Sequence, residues 1–162
     1  MTDVADSVWT PPSARDRLAI LQSTRTVAMV GASSKPSRPS YFVATYLLSS
    51  SCDYDVYFVN PAEREILGMP VYPSLEALPA VPDIVDVFRK IEDLPAVAKD
   101  VIAVGAKTFW CQLGLHSDEA VRLCHEAGVN AVTNRCLKIE HARFHGGLHL
   151  AGFDTGVIRS KR

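Results

Sequence analysis

Residues 27–48 read VAMVGASSKPSRPSYFVATYLL. The apolar run Val27-Ala28-Met29-Val30 stops at Gly31, and a polar turn follows. Tyr41, Val43, Ala44, Leu47 and Leu48 then recur at helical spacing. A buried strand, a tight turn and an amphipathic helix in this order open a doubly wound α/β unit. The glycine fingerprint GxGxxG is missing: only Gly31 is present, with Ser33 and Pro36 where the next glycines would stand.

Working outward, the 162 residues fit one domain with a sizeable core. Seventeen Lys and Arg against eighteen Asp and Glu leave a nearly neutral chain. That balance gives no electrostatic footprint for a nucleic acid or a membrane surface. No apolar stretch approaches the ~20 residues of a membrane span. The start, MTDVADSVWTPPSARDR, lacks a basic region followed by an apolar block, so no secretory signal is expected. Cys52, Cys111, Cys124 and Cys136 form no CxxC pair and read as reduced thiols of a cytoplasmic protein.

Residues 1–12, ending in Pro11-Pro12, read as a flexible lead-in. Ser13 is placed to cap a first helix. Strands are expected at about 26–31, 56–59, 84–88, 108–110 and 130–133, with helices at about 39–50, 93–104, 117–127 and up to about 145. Residues 66–72 suggest a minor hairpin around Gly68, and Ser74 caps a short helix over Leu75 and Leu78. Alternating apolar strands and helices imply a Rossmann-like, doubly wound, parallel five-stranded sheet with helices on both faces. The domain is expected over 13–145, with a glycine-rich tail from 146 to 162.

In such a sheet a ligand lies outside the carboxyl ends of the strands, where strand order reverses. The first loop, Gly31 to Arg38, offers backbone N–H groups, the hydroxyls of Ser33, Ser34 and Ser40, and the cations Lys35 and Arg38. That set suits a phosphate at a helix start; the rival reading is a solvated turn with ordinary surface charges. The second strand ends in Asn60-Pro61 rather than the acid that usually holds an adenosine ribose, and Glu63 lies further along the loop. NAD is therefore disfavoured; NADP remains open, with Arg38 or Arg64 taking the extra phosphate.

GASSKPSRPSY, YDVYFVNP, the segment Ile66 to Leu75, Val87-Phe88-Arg89, WCQLG and VTNRC together resemble the small stand-alone CoA-binding proteins. These are similar to the N-terminal CoA-binding domain of the succinyl-CoA synthetase alpha subunit, and the resemblance covers roughly residues 15–145. It implies coenzyme A across the strand ends. Gly31, Ala32 and Ser33 would line the nucleotide end, Arg38 would meet phosphate, and Ser40 and Tyr41 would open the supporting helix. Asn60 and Pro61 would sit near the adenosine, and Phe88 and Arg89 would border the ligand. The ribose 3′-phosphate of CoA fits a strand end without an acid. The synthetase also needs a second domain that this chain has no room for, so ligase activity is not expected.

Trp110 reads as core before ligand platform, and Gln112 as a polar group able to bond a ligand. Cys136 follows Arg135 at a helix start: either a thiol of lowered pKa, able to form a mixed disulfide with CoA, or a half-buried helix cap. Cys52, Cys111 and Cys124 read as structural. His141 and His145 would share a helix face and are expected to meet solvent rather than metal. His116 and His125 read as surface or boundary residues. No Ser-His-Asp set or GxxxxGK[ST] loop is visible. The expectation is a non-catalytic protein binding CoA or an acyl-CoA. The alternatives are an NADP-dependent oxidoreductase completed by a partner chain and a regulatory subunit that binds no nucleotide. A homodimer is a base-rate expectation.

Overall fold

The computed structural model describes residues 7–49 and 52–144. Five parallel strands carry the fold: β1 (Thr26–Val30), β2 (Asp55–Val59), β5 (Ile84–Val87), β6 (Thr108–Cys111) and β7 (Asn130–Val132). Val, Ile and Phe dominate them, and all four residues of β5 and of β6 are buried. Such strands are covered by helices on both faces.

Among the described residues the sheet has seven strands rather than the expected five, in the order β3-β4-β2-β1-β5-β6-β7. The two additions are β3 (Glu65–Ile66) and β4 (Met69–Tyr72), which form the minor hairpin. Its turn, Leu67-Gly68, has positive φ at both positions (51° and 77°), the geometry that matches the twist of a two-residue hairpin. β4 then pairs in parallel with β2 through Phe58–Val71 and Val59–Tyr72, which joins the hairpin to the main sheet.

Ser13 caps α1 (Ala14–Ser23) in a reciprocal capping box with Asp16. Pro39 occupies the first turn of α2 (Pro39–Leu47), where its missing N–H costs no helical bond. α3 (Leu94–Val104) ends at Gly105 in the left-handed conformation, and Ser117 caps α4 (Asp118–Glu126). The last helix among the described residues, α5, is Leu137–Ala142. The helix expected after Ser74 is a single 3-10 turn, Leu75–Ala77.

Strand alternation divides the core into two layers. Ala28, Val30, Val85, Val87, Phe109 and Cys111 pack under α3 and α4. Val27, Met29, Phe58, Ile84 and Trp110 pack under α1, α2 and α5. Each fully buried Val, Leu or Phe side chain contributes roughly 1.5–3 kcal/mol. The described part of the expected lead-in, residues 7–12, runs past β7. Trp9 packs against the α3–α4 layer and donates its indole N–H to the Ala131 carbonyl at 3.2 Å. The tail from 146 to 162 and His145 lie outside the described residues.

Candidate functional site

The chain moves outward from β1 through β2 to the hairpin, then returns to β5 on the other side of β1. Strand order therefore reverses between β1 and β5, and the crevice at their carboxyl ends is where a doubly wound sheet takes its ligand. Gly31 and Phe88 stand on its two sides. The Phe88 N–H donates to the Val30 carbonyl at 2.8 Å, and the Gly31 N–H to the Val59 carbonyl at 2.9 Å. A Cβ at position 31 would lie 2.3 Å from the Phe88 carbonyl oxygen and 3.0 Å from Cδ of Arg89. Gly31 also has φ +86°. The first loop thus needs glycine twice over, for its dihedral and for the close approach of β5.

Arg89 consequently lies alongside the first loop, its guanidinium bonded to Asp93 at 3.1 Å. Arg38, the residue before Pro39, and Lys35 are exposed on the same loop. Ser40 is buried, and its Oγ accepts the Ser33 N–H at 3.0 Å. Ser33 Oγ in turn accepts the Lys35 N–H at 3.1 Å. Ala32 is buried and Tyr41 half-buried at the start of α2.

Asn60 ties the two loops together. Its Nδ2 donates to the Ala32 carbonyl at 2.8 Å, and its Oδ1 accepts the Ala62 N–H at 2.9 Å, with Pro61 exposed between. The turn so formed delivers an acid to the first loop. Glu63 Oε2 accepts the Ser34 N–H at 2.8 Å and the Ser34 hydroxyl at 3.0 Å. The sequence reading, which kept carboxylates away from this crevice, is corrected here. The two Ser34 bonds, first that from the backbone and then that from the hydroxyl, hold the Glu63 carboxyl below its ordinary range. The backbone signal for this was in the sequence: Asn-Pro opens a turn, and a turn of that length can fold a residue three positions on back toward β1.

The remaining expected residues cluster at the ends of β6 and β7. Gln112 is buried, and its Oε1 accepts the Leu137 N–H at 3.1 Å, so it anchors the start of α5. Trp110 is fully buried, as read, and donates its indole N–H to the Arg135 carbonyl at 2.8 Å. Cys136 is half-buried at the N-cap of α5 and packs against the α1–α2–α5 layer. The Arg135 guanidinium turns to Glu140, 3.8 Å away.

His141, expected to meet solvent, is buried. Its Nδ1 pairs with the Tyr46 hydroxyl at 2.8 Å, the rings of Tyr46 and Tyr54 stand edge-on to it, and Cys52 Sγ lies 3.7 Å off. α5 packs on α2, which closes this pocket of aromatic rings over the imidazole. Burial also pushes the Cys124 thiol up to about 12 and the Cys111 thiol higher still. Among the described residues no group of three His, Cys, Asp or Glu could hold a metal ion, and no helix is long and apolar enough to cross a membrane.

Sequence reading passed over Asp86. It is fully buried in β5, in register with Met29 and Trp110, and neither carboxylate oxygen has a hydrogen-bond partner among the described residues. Burial holds this carboxyl well above the ordinary carboxylate range. An acid inside the apolar run Ile84-Val85-Asp86-Val87 was the available signal. Three cavities, of about 610, 390 and 220 Å³, lie along the Trp9–Pro12 segment and beside Tyr54 and His141. None is lined by the residues of the first loop.

Comparison with known proteins agrees with this architecture. Residues 25–142 match the family model described as CoA binding domain. The chain is 36% identical over 131 residues to the uncharacterized protein YneT of Bacillus subtilis, spanning 81% of this chain and 96% of that one. It is 28% identical over 123 residues to acetate–CoA ligase [ADP-forming] I of Archaeoglobus fulgidus, a match that takes in 70% of this chain and 18% of the ligase. A hypothetical protein from Pyrococcus horikoshii superposes with a TM-score of 0.78 at 36% identity, over 86% of this chain and 99% of that structure. With the Rossmann-like sheet, the reversal at Gly31 and Phe88 and a family match over most of its length, the chain belongs to the CoA-binding domain family.

Proposed function

We propose that this protein binds coenzyme A, or an acyl-CoA, along the crevice between β1 and β5, and that binding rather than a chemical step is its role. The observation that carries the reading is the assembly at Gly31. A backbone that tolerates no side chain there brings Arg89 beside a loop bearing Lys35 and Arg38. Three cations at a helix start favour a ligand with several phosphoryl groups. Gly31, Ala32, Ser33 and Ser40 form the nucleotide end, Lys35 and Arg38 meet phosphate, and Tyr41 opens the supporting helix. Asn60 and Pro61 face the adenosine, and Phe88 and Arg89 border the pyrophosphate. Gln112 serves the site by fixing the α5 start, and Cys136 stands at that start, where its thiol would meet the CoA thiol. Membership of the CoA-binding domain family supports this ligand over a dinucleotide.

Calorimetric titration with CoA, acetyl-CoA, NAD and NADP tests it. Saturable heat with the two CoA species, no turnover of acetyl-CoA and none or far weaker heat with the dinucleotides is the expected result. Binding of NADP with no response to either CoA species would reverse the assignment.

A further inference from the structure

The loop amides that would face a phosphate are engaged within the protein: Ser33 N–H with Ser40 Oγ, Lys35 N–H with Ser33 Oγ, and Ser34 N–H with Glu63. Only the last of these three acceptors is an anion. Glu63 also takes the Ser34 hydroxyl, so one carboxylate holds both donors of that residue, with Lys35 as the neighbouring cation. The Ser34 corner is thus a built anion seat, and the protein fills it from the loop that follows β2. In a doubly wound sheet that loop faces the adenosine ribose.

A carboxylate in this place distinguishes two kinds of sugar. Plain ribose hydroxyls can donate to it. A phosphorylated ribose brings a second anion to the same donors, and must either displace Glu63 or accept its repulsion. We propose that Glu63 is the residue that sets selectivity at the ribose, by competing with the 3′-phosphate for the Ser34 N–H and hydroxyl. The inference rests on the CoA reading of the site. Its content is separate: the ribose phosphate lands at Ser34, and Glu63 must yield to it.

The test measures dissociation constants for CoA and for dephospho-CoA, which lacks only the 3′-phosphate, with wild-type protein and with Glu63→Gln. Glutamine keeps the size and one acceptor oxygen but removes the charge. With one solvent-screened unit charge removed from beside the phosphate, CoA should tighten about fivefold to tenfold. Dephospho-CoA should be unchanged or weaker. Equal changes for both ligands, or a loss confined to CoA, would overturn the inference while leaving the CoA reading intact. Failure of wild-type protein to bind either ligand would remove both. Glu63→Ala, run in parallel with a thermal melt of each variant, must shift the CoA-to-dephospho-CoA ratio in the same direction; a shift seen in glutamine alone counts against the idea.

Discussion

The Nε–H of Arg17 donates to Oε1 of Glu140 at 2.6 Å across 123 residues of sequence, joining α1 to α5. Both side chains are almost sealed from solvent, at 6% and 2% exposure. The Pro12 carbonyl accepts Nη1 of the same arginine at 2.9 Å, and Arg143 and Arg135 approach the other carboxylate oxygen at 3.5 and 3.8 Å. One buried acid thus gathers three cations. Glu140→Gln should cost about 3–5 kcal/mol in chemical denaturation, because it strands a buried guanidinium. The double variant Arg17→Met, Glu140→Leu should lose clearly less than the two single changes added together. Near-neutral single variants would show that the pair is not what holds α5 to α1.

Gly31 and Gly68 share a positive φ but differ in surroundings: a Cβ at 31 collides with the Phe88 carbonyl, while one at 68 has nothing within 4 Å. Gly68→Ala should cost about 1 kcal/mol, the left-handed penalty alone. Gly31→Ala should cost about 2–3 kcal/mol or more, since the backbone of β5 must also shift, and it should weaken CoA binding in parallel. Equal losses at the two positions would mean that the approach of Phe88 is not limiting.

Asp86 makes stability depend on pH in a direction set by burial. Its folded pKa is raised, so below about pH 4 both folded and unfolded chains carry the proton and no penalty exists. As pH rises further the unfolded chain ionises first, and this residue's contribution falls by up to about 1.4 kcal/mol per pH unit until the folded pKa is reached. Asp86→Asn does not titrate. Urea unfolding from pH 4 to 7 should therefore show the stability difference moving steadily in favour of the variant. Parallel curves would refute the assignment of a protonated buried carboxyl.

Leu67 sits at φ 51° and is partly exposed, at 39%. Asparagine tolerates that conformation better, so Leu67→Asn should raise the unfolding free energy by about 0.5–1 kcal/mol, read from the denaturation midpoint. A loss would show that the leucine side chain packs against the hairpin more than its dihedral costs.

What the sequence made legible follows from the range over which each cause acts. Val27–Val30, Gly31 and Pro39 are local signals of strand, turn and helix start, and the five parallel strands emerged from such signals. Ser13 marks a helix start for the same reason. The candidate site was legible as a set of loops, since topology alone brings strand ends together. What stayed hidden depended on tertiary contact. Glu63 meets Ser34 across 29 residues, His141 is enclosed by Tyr46 and Tyr54 from other elements, and the hairpin becomes part of the sheet only through Val71 and Tyr72 meeting β2. Gln112 looked like a ligand group because it is polar at a strand end; only the structure places the Leu137 N–H within its reach.

The indole of Trp9 also has a consequence for how copies of this protein meet. Among the described residues β7 is the edge strand of the sheet, and an outer row of amides and carbonyls of this kind offers a template for strand addition by another molecule. Trp9 holds the Ala131 carbonyl and Pro11-Pro12 lies beside residues 132–135, which leaves less of that rim open to a strand from another molecule. Deleting residues 7–12 should therefore raise concentration-dependent self-association, read by light scattering, even with the crevice at Gly31 intact.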